Sequence, residues 1–339
     1  MLVDIAFFYG KGLAIKKIGI CTLHFGNNFG AVLQAFSLQE VLKSMGHEVE
    51  FIKLKDFKPT KQAKNVELFN KSRESLNISE KMYEKDLDKY DAIIIGSDEL
   101  WNLKNGSFEH LEEYFGYNLN ADKIASYAPS ANGVTAQELI EYYDGKVDFS
   151  KFNKLSARDK VTQKLIKDVS GIDAPLVLDP TLLIDSFEKY TKYPENDEKD
   201  YIVIYGYEFS DEEISKIMEF AKSKNKKVYS LGFEKDWCDA LKIDIFEFLG
   251  YMKNADYCIT NTFHGLLFAM ILEKEFVVFP NTNAKVHDII DRFGITERNG
   301  MYVEDLNEIF DNKVDYERIN KFKLEKREES LEYLRNFIG

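Results

Sequence analysis

Between two apolar segments, residues 257–259 and 266–272, the chain carries Asn261, Thr262, Phe263, His264 and Gly265. An imidazole at such a break can give or take a proton near neutral pH. Asn261 and Thr262 add hydrogen-bonding groups between segments too apolar to leave polar atoms unpaired. The first segment is β-prone and the second unbranched and helix-prone, which predicts a buried strand, a tight turn and a buried helix. His264 would then stand at a strand's carboxyl end, the edge of a parallel α/β sheet where strand ends and helix N–H groups converge on ligands. The competing reading is a histidine that satisfies backbone groups at a turn.

Asp98 follows another apolar strand pattern, 91–95, directly after Gly96 and Ser97 and ahead of Trp101. Its position suggests a site residue, with helix capping as the alternative. Arg158 precedes a helical pattern at Val161, Leu165, Ile166 and Val169. Seven of the 45 basic residues are arginines, so one at this junction is a candidate for bidentate carboxylate or phosphate binding, against a salt bridge to Asp159 or a neighbouring loop. In FGNNFG, glycines Gly26 and Gly30 flank Asn27 and Asn28 ahead of a helical pattern. Such a loop can offer N–H groups to an anion, although its spacing is neither the dinucleotide fingerprint nor a P-loop. Lys53, Lys55, Lys58, Lys61 and Lys64 read as a solvated loop, with an anionic acceptor as the second reading. His287, within a helical pattern, reads as a packing or surface residue.

These residues need a frame. A chain of 339 residues with 45% hydrophobic content predicts two domains, each with its own core. Residues 16–24, 49–54, 91–95 and 123–127 read as strands alternating with helices, and 175–183 as a short strand closed by Asp179 and Pro180. A charged stretch near 191–200 reads as a linker or exposed loop. A second strand-helix series follows: a strand at 201–206, a capping box of Ser210 with Glu213, strands at 227–231 and 276–279, and a helix at 245–252. Residues 316–338 read as a long charged helix that must dock on something already folded. Residues 1–14 read as an extension outside the core. The net charge of −13 excludes nucleic acid and anionic membrane as partners. Three cysteines without metal-type spacing, and no segment of ~20 apolar residues, predict reduced thiols in a cytoplasmic protein with no transmembrane segment. Homo-oligomerisation stays open.

Taken in order, CTLHFGNNFGAVLQAFSLQ, DAIIIGSDELWN, SYAPSA, SARDK, LVLDPTLL and ITNTFHGLLFAMIL resemble the polysaccharide pyruvyl transferase family, over residues 18–279. Several motifs in one order are more specific than any one of them. The resemblance implies a GT-B-like α/β fold of two Rossmann-like domains facing across a cleft: residues 15–170 on the acceptor side and 171–315 on the donor side, with 316–338 crossing back to the first. It implies transfer of an enolpyruvyl-derived group from phosphoenolpyruvate to sugar hydroxyls, leaving a cyclic pyruvate ketal on a cell-surface glycan or its precursor. The partners implied are a small anionic donor and a saccharide or lipid-linked saccharide acceptor. Family members carry an Arg at the place of Arg158 and a His at the place of His264, both assigned to holding or activating the donor. A second family Arg, two residues before that His, is Thr262 here, which removes a donor-phosphate clamp.

The transfer needs an acid for the donor's methylene carbon, a base for a sugar hydroxyl and cationic support for phosphate. The expected proton-transfer group is His264, with Asp98 orienting or deprotonating the acceptor. Arg158, Asn261, Thr262 and Gly265 are expected on the donor, and Asn27, Asn28, Gly30 and Trp101 on the loop and acceptor side. No metal and no cofactor beyond the donor substrate are expected. Two alternatives stay open: a nucleotide-sugar glycosyltransferase of GT-B type, distinguished by binding a nucleoside diphosphate, and a non-catalytic glycan-binding descendant, in which His264 and Arg158 do not face each other.

Overall fold

The computed structural model describes residues 14–54, 66–195 and 199–339. The first series comprises β1 (Lys17–Cys21), α1 (Phe29–Ser44), β2 (Glu48–Phe51), α2 (Val66–Arg73), β3 (Tyr90–Ile95), β4 (Ala121–Ser126), α3 (Ala136–Tyr142) and α4 (Lys160–Ser170). The second comprises β5 (Tyr201–Tyr205), α5 (Asp211–Ser223), β6 (Lys227–Leu231), β7 (Asp239–Leu241), α6 (Ile245–Asn254), β8 (Tyr257–Thr260), α7 (Phe263–Ile271), β9 (Glu275–Val278), α8 (Ala284–Phe293) and α9 (Asn307–Phe310). Helix α10 (Tyr316–Ile338) closes the chain.

Each series makes one parallel sheet, β2-β1-β3-β4 and β7-β6-β5-β8-β9. Strands such as β5, YIVIY, are apolar at every position because a parallel sheet is covered on both faces. In the first sheet the chain order reverses between β1 and β3, and in the second between β5 and β8. Loops leaving neighbouring strands diverge at such a reversal and open a crevice at the carboxyl edge. The loops from the two reversals, holding Asn28 and Asp98 on one side and Tyr205 and Thr262 on the other, line one cleft of about 1050 Å³.

The two-domain α/β expectation agrees with this architecture. The helix at 316–338 also docks as expected and spans both halves: Tyr316 donates to the Ala269 carbonyl at 3.1 Å, while further along Tyr333 donates to the Ser126 carbonyl at 2.8 Å. Three details differ. Residues 175–183 make a single bridge, Leu176 to Ala157, and then a 3-10 turn, Pro180–Leu183, whose Thr181 N–H is taken by the Asp179 side chain. Pro180 has no N–H to give a strand, and the turn packs on α1, so this segment goes with the first sheet. The second sheet starts at Tyr201. Helix α1 is buried almost throughout, because it lies between its own sheet and α6. The short strand β7 has no alternating pattern in the sequence and pairs at an edge. Lys55, Lys58, Lys61 and Lys64 and the leader up to residue 13 lie outside the described residues. Among the described residues no helix is long and apolar enough to cross a membrane.

Candidate active site

The strand, turn and helix around His264 form as expected, with a shorter turn: β8 ends at Thr260, Thr262 caps α7 by accepting from Gly265 N at 3.0 Å, and His264 sits in the first helical turn. Its surroundings come from both halves. The ring packs against Gly30 at the start of α1, where an added Cβ would come within 2.3 Å of Cγ and Nδ1. Glycine is therefore required at position 30 by the approach of the imidazole. Gly265 likewise allows α7 to sit on β8, since a Cβ there would meet Thr260 Oγ1 at 2.0 Å.

On its other edge, His264 Nε2 lies 3.6 Å from Asp179 Oδ2 and, although buried, has no hydrogen-bond partner. That separation is an ion-pair contact a few tenths of an ångström longer than a hydrogen bond. The same Asp179 oxygen accepts from Arg158 Nη1 at 3.0 Å, and Oδ1 accepts from Thr181 N and Oγ1. Arg158 Nη2 reaches Asp98 Oδ1 at 3.5 Å, and its guanidinium lies 4.4 Å over the Phe263 ring. The result is a chain of Asp98, Arg158, Asp179 and His264, with Asp98 and His264 facing the cleft at its two ends. Burial would push the Asp179 carboxyl up. The His264 ring, the Arg158 charge and the Thr181 N–H outweigh it and hold this carboxyl well below the usual range. Asp179 can thus fix the imidazole and balance a proton on it.

Three helices point their N-termini into the cleft, and their caps Asn28 (α1), Thr262 (α7) and Asn283 (α8) all line it. Each N-terminus presents unpaired N–H groups and roughly half a positive charge. Beside them Lys285, in the first turn of α8, is nine-tenths enclosed, pairs with Glu99 and has Nζ 5.8 Å over Phe263. Burial pulls its ammonium down to about 8, against the opposing charge of Asp98. Arg73 of α2 braces the glycine-rich loop, donating to the carbonyls of His24, Phe25 and Gly26 and to Asn27 Oδ1. The loop is tied across the cleft as well, for Asn28 Nδ2 donates to Tyr207 Oη at 2.8 Å.

Of the residues singled out, His264, Asp98, Thr262, Asn27 and Asn28 border the main cleft, and Gly30 packs behind the His264 ring. Arg158 does not line it. At 1% exposure, with a carboxylate on each terminal nitrogen, this guanidinium braces Asp98 and Asp179 behind the cleft wall, where the sequence suggested a direct grip on the donor. Trp101 is also displaced from its expected role: it is fully buried, donates to the Tyr114 carbonyl and stacks on Phe115, all within the first domain's core. Asn261 ties β8 to the chain after β5 by accepting from Tyr207 N and donating to the Glu208 carbonyl, and borders an adjoining depression. His287 Nε2 donates to the Asn281 carbonyl, as a packing residue would.

Sequence reasoning missed Lys285, Arg73 and the role of Asp179. Lys285 left a usable signal, since a lysine in a helix's first turn opposes the macrodipole. Arg73 and Asp179 left none, because their partners are distant in sequence. Among the described residues no three His, Cys, Asp or Glu side chains converge as metal ligands.

Burial of His24 on the cleft wall carries a consequence for stability. Burial pulls its imidazole down to about 4, with the Thr22 carbonyl opposing and Arg73 reinforcing. The unfolded chain binds this proton near pH 6.5 and the folded one only near 4. Stability should therefore fall as pH drops across that window, by about 3 kcal/mol for this residue. His24→Gln should flatten the slope of denaturation free energy between pH 6.5 and 4.5. An unchanged slope would show that His24 is protonated without cost in the fold.

Two parallel-sheet α/β domains with their carboxyl edges turned to one cleft define the architecture shared by GT-B glycosyltransferases and certain sugar-nucleotide epimerases. Solved structures agree on that fold. The Methanocaldococcus jannaschii UDP-GlcNAc 2-epimerase, solved with UDP-GlcNAc and UDP, superposes with a TM-score of 0.52 at 11% identity, covering 94% of this chain and 98% of that one. A Listeria monocytogenes protein described as a candidate UDP-N-acetylglucosamine 2-epimerase gives 0.54 at 8% identity, covering 95% and 91%. Staphylococcus aureus MnaA with UDP gives 0.50 at 10%, covering 95% and 98%. No curated protein matches the sequence. The pattern of the family described as polysaccharide pyruvyl transferase matches residues 28–283, which take in all strands but β1 and, of the cleft residues, Asn28, Asp98, Thr262, His264 and Asn283, while His24, Asn27 and Lys285 lie just outside it. The chain belongs to the polysaccharide pyruvyl transferase family, and is thus a transferase.

Proposed function

We propose that this transferase moves a pyruvate ketal group from phosphoenolpyruvate to two hydroxyls of a saccharide, free or lipid-linked, that becomes part of a cell-surface glycan. One observation carries the reading: an imidazole backed by a buried carboxylate faces a cleft into which three helix N-termini and a buried lysine also point. Both halves of the chemistry, proton transfer and the holding of an anion, are then present within one cavity of a protein whose net charge is −13.

In this reading the donor's phosphate and carboxylate lie against the helix N-termini and Lys285, which supply what Thr262 does not. His264 gives a proton to the methylene carbon, C2 becomes electrophilic, and the first hydroxyl oxygen bonds to it as that hydroxyl's proton passes to Asp98. The second hydroxyl oxygen then forms its bond to C2 while the C2–O bond to phosphate breaks. Two hydroxyl protons are lost in all, one balanced by the proton at the methylene carbon and the other leaving with phosphate. Asp179 holds the imidazole through the cycle, and Arg158 holds Asp179. An ionised donor does not cross a bilayer core unaided, so we assign the reaction to the cytoplasm.

Thermal shift tests the donor directly. Phosphoenolpyruvate at a hundred times its dissociation constant should stabilise the fold by about 2.7 kcal/mol. Stabilisation by UDP, with none by phosphoenolpyruvate, would favour a nucleotide-sugar glycosyltransferase instead. Affinity should also depend on pH. Because Lys285 is pulled down to about 8 and an anion favours its charged form, binding should take up a proton and weaken above pH 8, by up to about tenfold per unit. Calorimetry at pH 7 and 9 reads this, and equal affinities would remove Lys285 from the donor site.

A further inference from the structure

A second depression, of about 490 Å³, adjoins the main cleft and shares Asn132, Tyr207 and Asn283 with it. Its volume falls within the ~300–1,000 Å³ of small-molecule sites. One wall is Asn132, on the loop after β4, and the facing wall is the turn at 280–283 after β9, so the two walls belong to different domains. We propose that this depression is an acceptor subsite for a neutral, hydroxyl-rich sugar unit next to the one that receives the ketal. The inference rests on the saccharide-acceptor reading above and makes the acceptor an oligosaccharide rather than a single sugar.

Lining chemistry decides the ligand class. Four asparagines, a threonine and a tyrosine border the depression, with Glu208 as the one charged side chain among its lining residues. An amide carries both donors and an acceptor, which is what a hydroxyl requires of its partner. The main cleft, by contrast, is bordered by charges of both signs, Lys53, Arg73 and Lys285 with Asp98 and Glu99. A phosphate or a uronate would gain nothing from the depression and would meet the Glu208 carboxylate, whereas an uncharged sugar pays no such repulsion.

Position supports the same assignment. The Tyr207 ring is 57% exposed where cleft and depression join, and its face can pack on the C–H face of a sugar while its edge stays wet. That ring is held from three sides: Asn28 donates to its hydroxyl, Phe233 packs at 4.9 Å, and Asn261 ties down its backbone. A saccharide with its reacting hydroxyls beside His264 and Asp98 would run across Tyr207 before reaching Asn281 and Thr282. These last two are exposed and border the depression without bordering the main cleft.

The test measures dissociation constants by NMR titration of the full chain with galactose, lactose and a galacturonate disaccharide, for wild type, Thr282→Trp and Asn281→Ala. Lactose should bind wild type about tenfold more tightly than galactose, the gain of one or two well-made hydrogen bonds, and the galacturonate disaccharide should show no such gain. Thr282→Trp fills the depression and should erase the gain, Asn281→Ala should reduce it severalfold, and galactose binding should not change in either. Asn281→Ala alone carries the test if the bulkier variant does not fold. Equal binding of galactose and lactose, absence of binding by all three sugars, a preference for galacturonate, or a lactose gain that survives both substitutions would each overturn the subsite. The donor assignment is read separately: phosphoenolpyruvate should stabilise wild type and both variants alike, so its failure with the lactose gain intact would reject the donor and leave the subsite standing.

Discussion

Replacing His264 with Gln should lower turnover by roughly 100- to 10,000-fold while leaving the fold and phosphoenolpyruvate binding nearly intact. The range is what a general acid or base contributes when its proton must move in the transition state. Glutamine keeps a hydrogen-bonding group and approximate size against Gly30, where the space is set by the missing Cβ. It cannot carry a proton between carbon and a hydroxyl, and it gives Asp179 no cation to balance. Turnover, melting midpoint and donor affinity measured on the same preparation separate the roles. Wild-type turnover in a folded variant would remove His264 from the chemistry, and loss of the fold would assign it the turn-satisfying role instead.

Arg158→Met should destabilise the protein by about 3–5 kcal/mol, the scale of breaking a buried ion pair by removing one partner. Methionine fills much of the space over Phe263 but leaves Asp179, 1% exposed, with only the His264 ring and the Thr181 N–H and hydroxyl against its charge. The sign with pH follows. In the wild type Asp179 titrates well below the usual carboxylate range, so its contribution is present at neutral pH and lost only on strong acidification. In the variant its carboxyl should protonate far more readily, so the stability gap to wild type should narrow as the pH is lowered from 7 towards 4. Denaturant unfolding at both pH values measures this. A variant as stable as wild type whose donor binding alone fell would return Arg158 to the direct anion-binding role that its sequence position suggests.

Arg158 and Trp101 show where reading from sequence stops. Residue type and local position suggest a guanidinium for phosphate and an indole for a sugar face, yet both depend on partners far along the chain. Asp179 lies 21 residues from Arg158 and Asp98 lies 60 away, and only the folded structure shows both terminal nitrogens facing carboxylates. Trp101 is covered by Phe115 and Phe149, which no local spacing relates to it. What was legible is local: the apolar strands, the Ser210 capping box, the terminal helix, and the strand-turn-helix that carries His264. These follow from periodicity and capping, which act over a few residues. The strand assigned to 175–183 failed for the same reason, as its apolar pattern matches a buried 3-10 turn equally well until Pro180 and the Asp179 cap are placed against α1. The cleft is expected from the family resemblance alone and from no local spacing, since it arises from the meeting of two sheet edges.

Phosphate release from phosphoenolpyruvate, followed with and without a panel of saccharides and with mass analysis of the sugar products, tests the central claim most directly. The account predicts saccharide-dependent phosphate release, a product bearing one pyruvate joined through two oxygens with loss of water, and no release with His264→Gln. Phosphoenolpyruvate left intact beside every saccharide, while a UDP-sugar is consumed by the same protein, would contradict it.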